Sequence, residues 1–387
     1  MKAVNIAILG STGFLGRQAL AVVKTLKKKV RDEFNLFALS CEKNYRALLR
    51  QGRNLSPRFL VVYKQDAAKE IKKERLPPGT SLLFGEEGIM EICAHPEVQT
   101  ILFLTGGSAL LSPLLLAIEK KKRICLANKE LVVAFGKFIF EKAKERGVSI
   151  IPIDSEISGI FQCLAGRNNE KISKVTITSS GGPFFHREKR PTLKTCLSHP
   201  VWRMGKKITV DSATLMNKGF EVIEAVRFFS LPPKKVSVLI HPQVFVHALV
   251  QFVDGRIIAQ VAKPDMRLFL QYALTYPETF PSPVKPLDLS QLRHWDFFPP
   301  DTKRFPCLQF AYRAIEEDGS LPVVLTVADE VAVNYFLQRK IKFSSIPKVI
   351  EETLSQHRPI RNPTLAELLN VEREAKEKAK EIAEAIK

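Results

Sequence analysis

Two acidic stretches have the residue types and spacing to do chemistry. Asp154-Ser155-Glu156 follows the apolar run Ser149–Pro152 and reads as the extended end of a strand. At i and i+2 of an extended segment both carboxylates face the same side. Two like charges that close require a cation or a shared proton. A third acid, Glu221, ends the stretch Asp211-Ser212-Ala213-Thr214-Leu215-Met216-Asn217-Lys218-Gly219-Phe220-Glu221. Three oxygen ligands with positions left for substrate suit Mg²⁺ or Mn²⁺. A lone DxE is more often a solvated loop, so its neighbours decide the reading.

Those neighbours favour an anion. Asn217 and Glu221 are four apart and share a helix face, with Lys218 alongside. Ser212, Asn217 and Lys218 together offer two neutral donors and a cation, a cradle for phosphate. Ser179-Ser180-Gly181-Gly182-Pro183 is a second candidate, a strand end whose small residues leave backbone N–H groups free for an anion. Between them, Phe184–Gly205 carries His199-Pro200-Val201-Trp202-Arg203-Met204-Gly205 together with Arg187, Lys189, Arg190 and Lys194. The bland reading is a loop pinned down by Trp202; the sharper one is a lid that closes over substrate and excludes water.

A cofactor site precedes these. Val4–Leu9 runs into Gly10-Ser11-Thr12-Gly13-Phe14-Leu15-Gly16 and then an amphipathic helix. Glycines at such a turn allow close approach to a pyrophosphate, and the helix N-terminus supplies N–H donors and a favourable dipole. At the end of the second strand stands Ser40-Cys41-Glu42-Lys43-Asn44. Lys43 and Asn44 suit a 2′-phosphate, which favours NADPH, whereas Glu42 is of the type that holds unphosphorylated ribose.

Elements must position these groups, and 387 residues allow two or three domains. Apolar strands Val4–Leu9, Asn35–Leu39, Phe59–Val62, Thr100–Leu104, Arg123–Leu126 and Ser149–Pro152 alternate with helical patterns at Gly16–Lys28, Pro113–Lys121 and Lys137–Arg146. That alternation predicts an α/β domain over 1–150, a Rossmann-like parallel sheet with helices on both faces. Strands expected at Val175–Ser179, Lys207–Asp211, Val236–Ile240, Phe245–Val253 and Arg256–Val261 give a central α+β domain over 151–285, with a hairpin at Asp254-Gly255. Prolines 277, 281, 283, 286, 299, 300 and 306 make an extended linker, placed at 286–306, before a helical C-terminal domain over 307–387.

Composition narrows the class. No apolar run approaches the ~20 residues of a membrane span, and the chain enters a strand at once with no targeting pattern, so a cytoplasmic protein is expected. Six scattered cysteines without a CxxC pair predict reduced thiols. The net charge is +19, but clusters such as Lys27–Lys29, Lys69–Arg75 and Lys120–Arg123 lack interleaved aromatics. Anionic small molecules are therefore expected as partners, and neither nucleic acid nor membrane.

The motifs together resemble the 1-deoxy-D-xylulose 5-phosphate reductoisomerase family. They are GSTGFLG (Gly10–Gly16), LANKE (Leu126–Glu130), IDSE (Ile153–Glu156), SSGGPF (Ser179–Phe184), HPVWRMG (His199–Gly205), VDSATLMNKGFE (Val210–Glu221), LIHPQ (Leu239–Gln243) and KPDMR (Lys263–Arg267), in the family's order. The resemblance implies a V-shaped homodimer with an NADPH domain, a catalytic and dimerising domain, and a C-terminal helical bundle. It implies that Asp154, Glu156 and Glu221 hold Mg²⁺, Mn²⁺ or Co²⁺, the Lewis acid for a retro-aldol and aldol rearrangement before reduction by NADPH. The product implied is 2-C-methyl-D-erythritol 4-phosphate. Ser180, Ser212, Asn217 and Lys218 would hold the sugar's phosphate, His199 and Trp202 would lie against substrate, and Ser155 and Lys129 would meet its hydroxyl end. Gly10, Ser11, Thr12, Gly13, Phe14, Leu15, Lys43, Asn44, Asn128, Glu130 and Gly205 would contact the cofactor. Phe14 and Leu15 stand where the family often has Ser and Ile. Leu325-Thr326-Val327-Ala328-Asp329-Glu330 replaces the usual LNAANE, a difference expected to touch packing rather than chemistry.

Two other classes compete. An aspartate-semialdehyde-type dehydrogenase opens with a similar turn but needs a nucleophilic cysteine beside a histidine, and it leaves the three acids unexplained. A basic NADPH sensor or nucleic-acid binder would explain the charge and predicts cofactor binding without turnover.

Overall fold

The computed structural model describes residues 4–30, 34–64, 76–167, 171–186 and 191–386. The cluster Lys69–Arg75 and the lid residues Arg187, Lys189 and Arg190 lie outside the described residues. In chain order the elements are β1 (Val4–Leu9), α1 (Phe14–Val30), β2 (Phe34–Cys41), α2 (Tyr45–Leu55), β3 (Phe59–Val62), β4 (Ser81–Phe84), α3 (Gly85–Ala94), β5 (Thr100–Phe103), α4 (Leu111–Glu119), β6 (Arg123–Leu126), α5 (Lys129–Arg146), β7 (Ile150–Pro152) and α6 (Ser155–Leu164). There follow β8 (Ile172–Ser179), α7 (Leu193–Cys196), α8 (Lys206–Thr214), α9 (Met216–Phe229), β9 (Val236–Ile240), β10 (Val246–Phe252), β11 (Ile257–Val261), α10 (Met266–Thr275), α11 (Cys307–Glu317), α12 (Leu321–Leu337), α13 (Ser345–Gln356) and α14 (Leu365–Ala385). The chain packs as two compact units. One comprises Met1–Leu131, Ile139–Ser158 and Asp265–Pro286; the other comprises Val132–Phe138, Gly159–Pro264 and Leu287–Lys387.

The first unit is the expected α/β layer. Its seven strands run parallel in the order β4-β3-β2-β1-β5-β6-β7, so the chain reverses direction across the sheet between β1 and β5. Ligands bind parallel sheets at such a switch point, outside the carboxyl ends of the strands. All four residues of β5 are buried, as in a strand covered on both faces. Strand β4 was not anticipated; its four residues follow the turn Pro77-Pro78-Gly79 and pair with β3 at the sheet edge. Helix α5 begins at Lys129 rather than the expected Lys137, because Asn128 caps it, Oδ1 accepting the Leu131 N–H at 3.1 Å.

The unit is not one continuous stretch. Helix α10 packs on α1, and Arg123 Nη2 donates to the Ala273 carbonyl at 2.9 Å. Residues 265–286 therefore belong with the parallel sheet, where 151–285 had been expected to form a single domain.

The second unit contains a four-stranded sheet, β11-β10-β8-β9, in which β8 and β9 are parallel and the other pairs antiparallel. The hairpin at Asp254-Gly255 forms as read, with Gly255 at φ +87° and the Phe252 N–H donating to the Arg256 carbonyl at 2.9 Å. Lys207–Asp211 is helical, not a strand. Ile208 and Val210 alternate as a strand would, but every residue from Thr209 to Thr214 is buried, so enclosure on all sides hides the helical period. Leu215, at φ +60°, then breaks the chain into α8 and α9. Gly219 lets α9 approach α11 closely, since a Cβ there would lie 2.6 Å from that of Ala311. Helix α12 is buried along most of its length, packed by α13 and α14. Residues 287–306 form no regular element beyond one short 3₁₀ turn and a bridge from Phe298 to Ile240, as proline density predicted. No helix among the described residues is long and apolar enough to cross a membrane.

Candidate active site

The first unit supplies the nucleotide turn. Gly10 sits at φ +93°, and a Cβ there would strike Thr105 Cγ2 at 2.7 Å, in the loop after β5. A Cβ on Gly16 would lie 2.2 Å from the Gly10 carbonyl, so this third glycine lets α1 start against the turn. Ser11 is committed internally: its Oγ donates to the Gln51 side chain at 2.7 Å, and Gln51 returns a bond to the Ser11 carbonyl at 3.0 Å. Asn128 is likewise consumed, capping α5 with its oxygen while its nitrogen donates to the Gly107 carbonyl at 2.8 Å. Both residues thus shape the site through their side-chain bonds. Thr12, Gly13, Phe14 and Leu15 are at least partly exposed at the turn. Glu130 lies in the first turn of α5, with its carboxylate near Gly106.

At the end of β2, Asn44 caps α2, accepting the Ala47 N–H at 3.2 Å. Glu42 lies 3.7 Å from Lys43 and 3.8 Å from Lys64. Two ammonium groups around one carboxylate leave this corner net positive. Lys64 follows β3, some twenty positions from Glu42, and only the pairing of β2 with β3 brings it alongside.

Asp154 and Glu156 are placed differently from expectation. The segment is not extended: Asp154 immediately precedes α6, its carbonyl accepting the Ser158 N–H at 2.8 Å, and Glu156 lies in the helix's first turn. A strand-to-helix turn, rather than strand alternation, brings carboxylate oxygens of the two within 4.8 Å of each other. Lys129 Nζ, almost fully buried, stands 2.6 Å from Asp154 Oδ2, and Ser155 Oγ donates to the Glu156 carboxylate.

In the second unit, the loop after β8 is built from two consecutive left-handed glycines, Gly181 at φ +80° and Gly182 at φ +68°. A Cβ on Gly182 would meet the Ser212 carbonyl at 2.6 Å, so the loop rests directly on the end of α8. Ser180 Oγ accepts the Gly182 N–H at 3.1 Å and lies 3.0 Å from His199 Nε2. His199 Nδ1 accepts two backbone N–H groups, from Val201 at 3.1 Å and Trp202 at 2.8 Å. A ring nitrogen that accepts twice carries no proton, so the neutral ring is protonated at Nε2 and donates to Ser180. Burial, and secondarily the Lys218 ammonium, push the His199 pKa down to about 4. With both lone pairs of Ser180 Oγ engaged, its own proton is directed elsewhere.

Trp202 lies 6.4 Å from the His247 ring, centroid to centroid. Gly205 precedes α8 and has open space where a side chain would be. Ser212, Lys218 and Glu221 are all buried. On α9, Asn217 Nδ2 donates to Glu221 Oε1 at 2.5 Å, and Lys218 Nζ pairs with Glu221 Oε2. The expected shared helix face is present. All six cysteines are buried, and burial raises each thiol pKa, to about 12 for Cys41, Cys93 and Cys196 and about 11 for Cys125 and Cys163. Such thiols are inert, which removes the cysteine-nucleophile class.

Family models decide the lineage. A model described as 1-deoxy-D-xylulose 5-phosphate reductoisomerase matches residues 6–136, its C-terminal domain matches 150–229, and a DXP reductoisomerase C-terminal domain matches 261–378. The chain belongs to the 1-deoxy-D-xylulose 5-phosphate reductoisomerase family. A relative of that name from Caldanaerobacter subterraneus subsp. tengcongensis is 43% identical over 379 residues, covering 97% of this chain and 98% of the relative. One from Geobacillus kaustophilus is 43% identical over 376 residues, covering 96% and 97%. Among solved structures, the family member from Zymomonas mobilis in complex with NADPH superposes with a TM-score of 0.90 at 32% identity, covering 99% of this chain and 100% of that one. Another, in complex with NADPH, fosmidomycin and magnesium, gives 0.89 at 33% identity, covering 98% of each. The family's fold and enzyme class are therefore those of this chain, an NADP-dependent oxidoreductase.

Proposed function

We infer that this enzyme rearranges and reduces 1-deoxy-D-xylulose 5-phosphate to 2-C-methyl-D-erythritol 4-phosphate, with NADPH and a divalent cation. The observation that carries the reading is a buried carboxylate on the same helix as phosphate-type donors: Glu221 shares α9 with Asn217 and Lys218. Asp154, Glu156 and Glu221 would hold the cation. The donor set fits one, because carboxylates withdrawn from water demand positive charge, of which Lys129 at Asp154 and Lys218 at Glu221 supply part. Hard oxygen donors suit Mg²⁺, Mn²⁺ or Co²⁺. Bound there, the cation would supply Lewis-acid polarisation of the ketone and its neighbouring hydroxyl.

The chain's own residues do the rest. Ser180, Ser212, Asn217 and Lys218 hold the phosphate. His199 acts as a neutral donor that fixes Ser180 and turns the serine's proton toward the phosphate. Lys129 pairs with Asp154 and stands with Ser155 at the hydroxyl end of the substrate. Trp202 covers the bound molecule and excludes water. At the nucleotide end, Gly10–Leu15 line the pyrophosphate, with Glu130 and Gly205 near the cofactor, and Lys43, Lys64 and Asn44 meet the 2′-phosphate. We propose that the enzyme works in the cytoplasm as a homodimer; exposed Ile257 on the edge strand β11 supports self-association.

NADPH oxidation with 1-deoxy-D-xylulose 5-phosphate, with and without Mg²⁺ or Mn²⁺, tests this. Metal-dependent oxidation abolished by EDTA is expected; no oxidation under either condition would sink the reading.

A further inference from the structure

Behind the phosphate cradle lies an ion cluster that the proposed reaction does not use. Lys207 Nζ, at the start of α8, stands 2.7 Å from Asp211 Oδ2 on the same helix and 2.7 Å from Asp329 Oδ2 on α12. The ammonium also lies 4.7 Å from the centre of the Phe220 ring. Asp211 is 1% exposed and Asp329 0%. One ammonium shared by two buried carboxylates defines a narrow geometry: loss of Lys207 takes its counter-charge from both acids, and loss of Asp329 releases the tie between α8 and α12.

That geometry is transmitted over a short path. Asp211 immediately precedes Ser212, and its carbonyl accepts the Thr214 hydroxyl at 3.1 Å. Thr214 Oγ1 in turn accepts the Met216 N–H at 3.3 Å, and the Leu215 N–H donates to the Ser212 carbonyl at 3.3 Å. The same Ser212 carbonyl is the atom against which Gly182 packs. The seat of Asp211 thus sets the end of α8, the position of Ser212, and the support of the Ser180–Gly182 loop.

We propose that Asp329 is a positioning residue for phosphate binding, gripping α8 through Lys207 so that Ser212 and the Ser180–Gly182 loop keep their places. This rests on the reading that those residues bind the substrate's phosphate. It also gives Asp329, which stands in the Leu325–Glu330 segment that departs from the family's usual LNAANE, a part in substrate affinity and not in packing alone.

A double-mutant cycle on the metal-loaded enzyme tests it, with Lys207→Met, Asp329→Leu and the pair. Each single change is expected to raise the substrate KM roughly tenfold, with kcat within about twofold and the NADPH KM unchanged. The pair should be no worse than the poorer single, as coupled residues behave. Inorganic phosphate as competitive inhibitor should weaken in parallel. Multiplying KM effects, an unchanged KM, or a loss confined to thermal stability overturns the proposal. Where a truncation does not fold, Lys207→Gln and Asp329→Asn carry the same cycle. Ser212→Ala separates the two levels: if it leaves phosphate inhibition unchanged, the phosphate reading itself fails, whatever the cycle shows.

Discussion

Asn217 and Lys218 direct their donors to opposite oxygens of the Glu221 carboxylate, Asn217 Nδ2 to Oε1 at 2.5 Å and Lys218 Nζ to Oε2. On the proposal that Glu221 helps hold the cation and that Asn217 and Lys218 hold the phosphate, a cation at Glu221 would compete with both donors and free them, linking metal and substrate binding through one side chain. Glu221→Gln should therefore raise the Mn²⁺ concentration needed for half-maximal rate by at least about tenfold and lower turnover by roughly 10²-fold. NADPH affinity, read by fluorescence quenching, should stay within about twofold. Unchanged turnover would refute the assignment.

His199 carries a pH signature. Its pKa is held at about 4 by burial and by Lys218, whereas an unfolded histidine titrates near ~6.5. The unfolded chain takes up this proton first, so stability is full above ~6.5 and declines as pH falls toward 4. The ring's NMR titration should have its midpoint near 4, with the Nε2–H tautomer above it. His199→Gln should flatten the melting temperature against pH in that window. A midpoint near 6.5 would remove the buried neutral donor from the mechanism.

Gly182→Ala tests the loop. At φ +68°, with a Cβ 2.6 Å from the Ser212 carbonyl, alanine should cost about 1–3 kcal/mol in strain. The substrate KM should rise at least about tenfold, a larger effect than on the NADPH KM, as the loop lifts off α8. Steady-state kinetics beside a thermal melt distinguish this from general destabilisation.

The cysteines separate this enzyme from thiol-dependent dehydrogenases. All six are buried with raised pKa values, so iodoacetamide at neutral pH should leave the native rate unchanged over an hour. Denaturant should expose the thiols to labelling, counted by mass spectrometry. Rapid inactivation of the folded enzyme would contradict the inert assignment.

Much of this was legible beforehand because local chemistry was strong. Glycines at fixed offsets in Gly10–Gly16, and the polar face of Asn217, Lys218 and Glu221, need no long-range information. What failed did so for definite reasons. Lys207–Asp211 imitates a strand because Ile208 and Val210 alternate with polar residues, while the unbroken burial of Thr209–Thr214 hides the helical period. Asp154-Ser155-Glu156 was read as extended because the first turn of a helix has no period yet. The side-chain bonds of Ser11 to Gln51 and of Asn128 to Gly107 join residues distant in sequence, so local chemistry does not show them. The same distance hid Lys64 beside Glu42 and Asp329 beside Lys207.

The return of residues 265–286 to the parallel sheet governs how this protein is made. Phe269, Leu270 and Leu274 of α10 are buried, and α10 covers α1. A ribosome that has released the first 158 residues has therefore delivered an unfinished nucleotide unit. Its apolar face waits through more than a hundred further residues of synthesis before α10 emerges to cover it. Vectorial synthesis completes this N-terminal unit late, and a gene fragment ending after β7 would encode an aggregation-prone piece rather than a portable NADPH module.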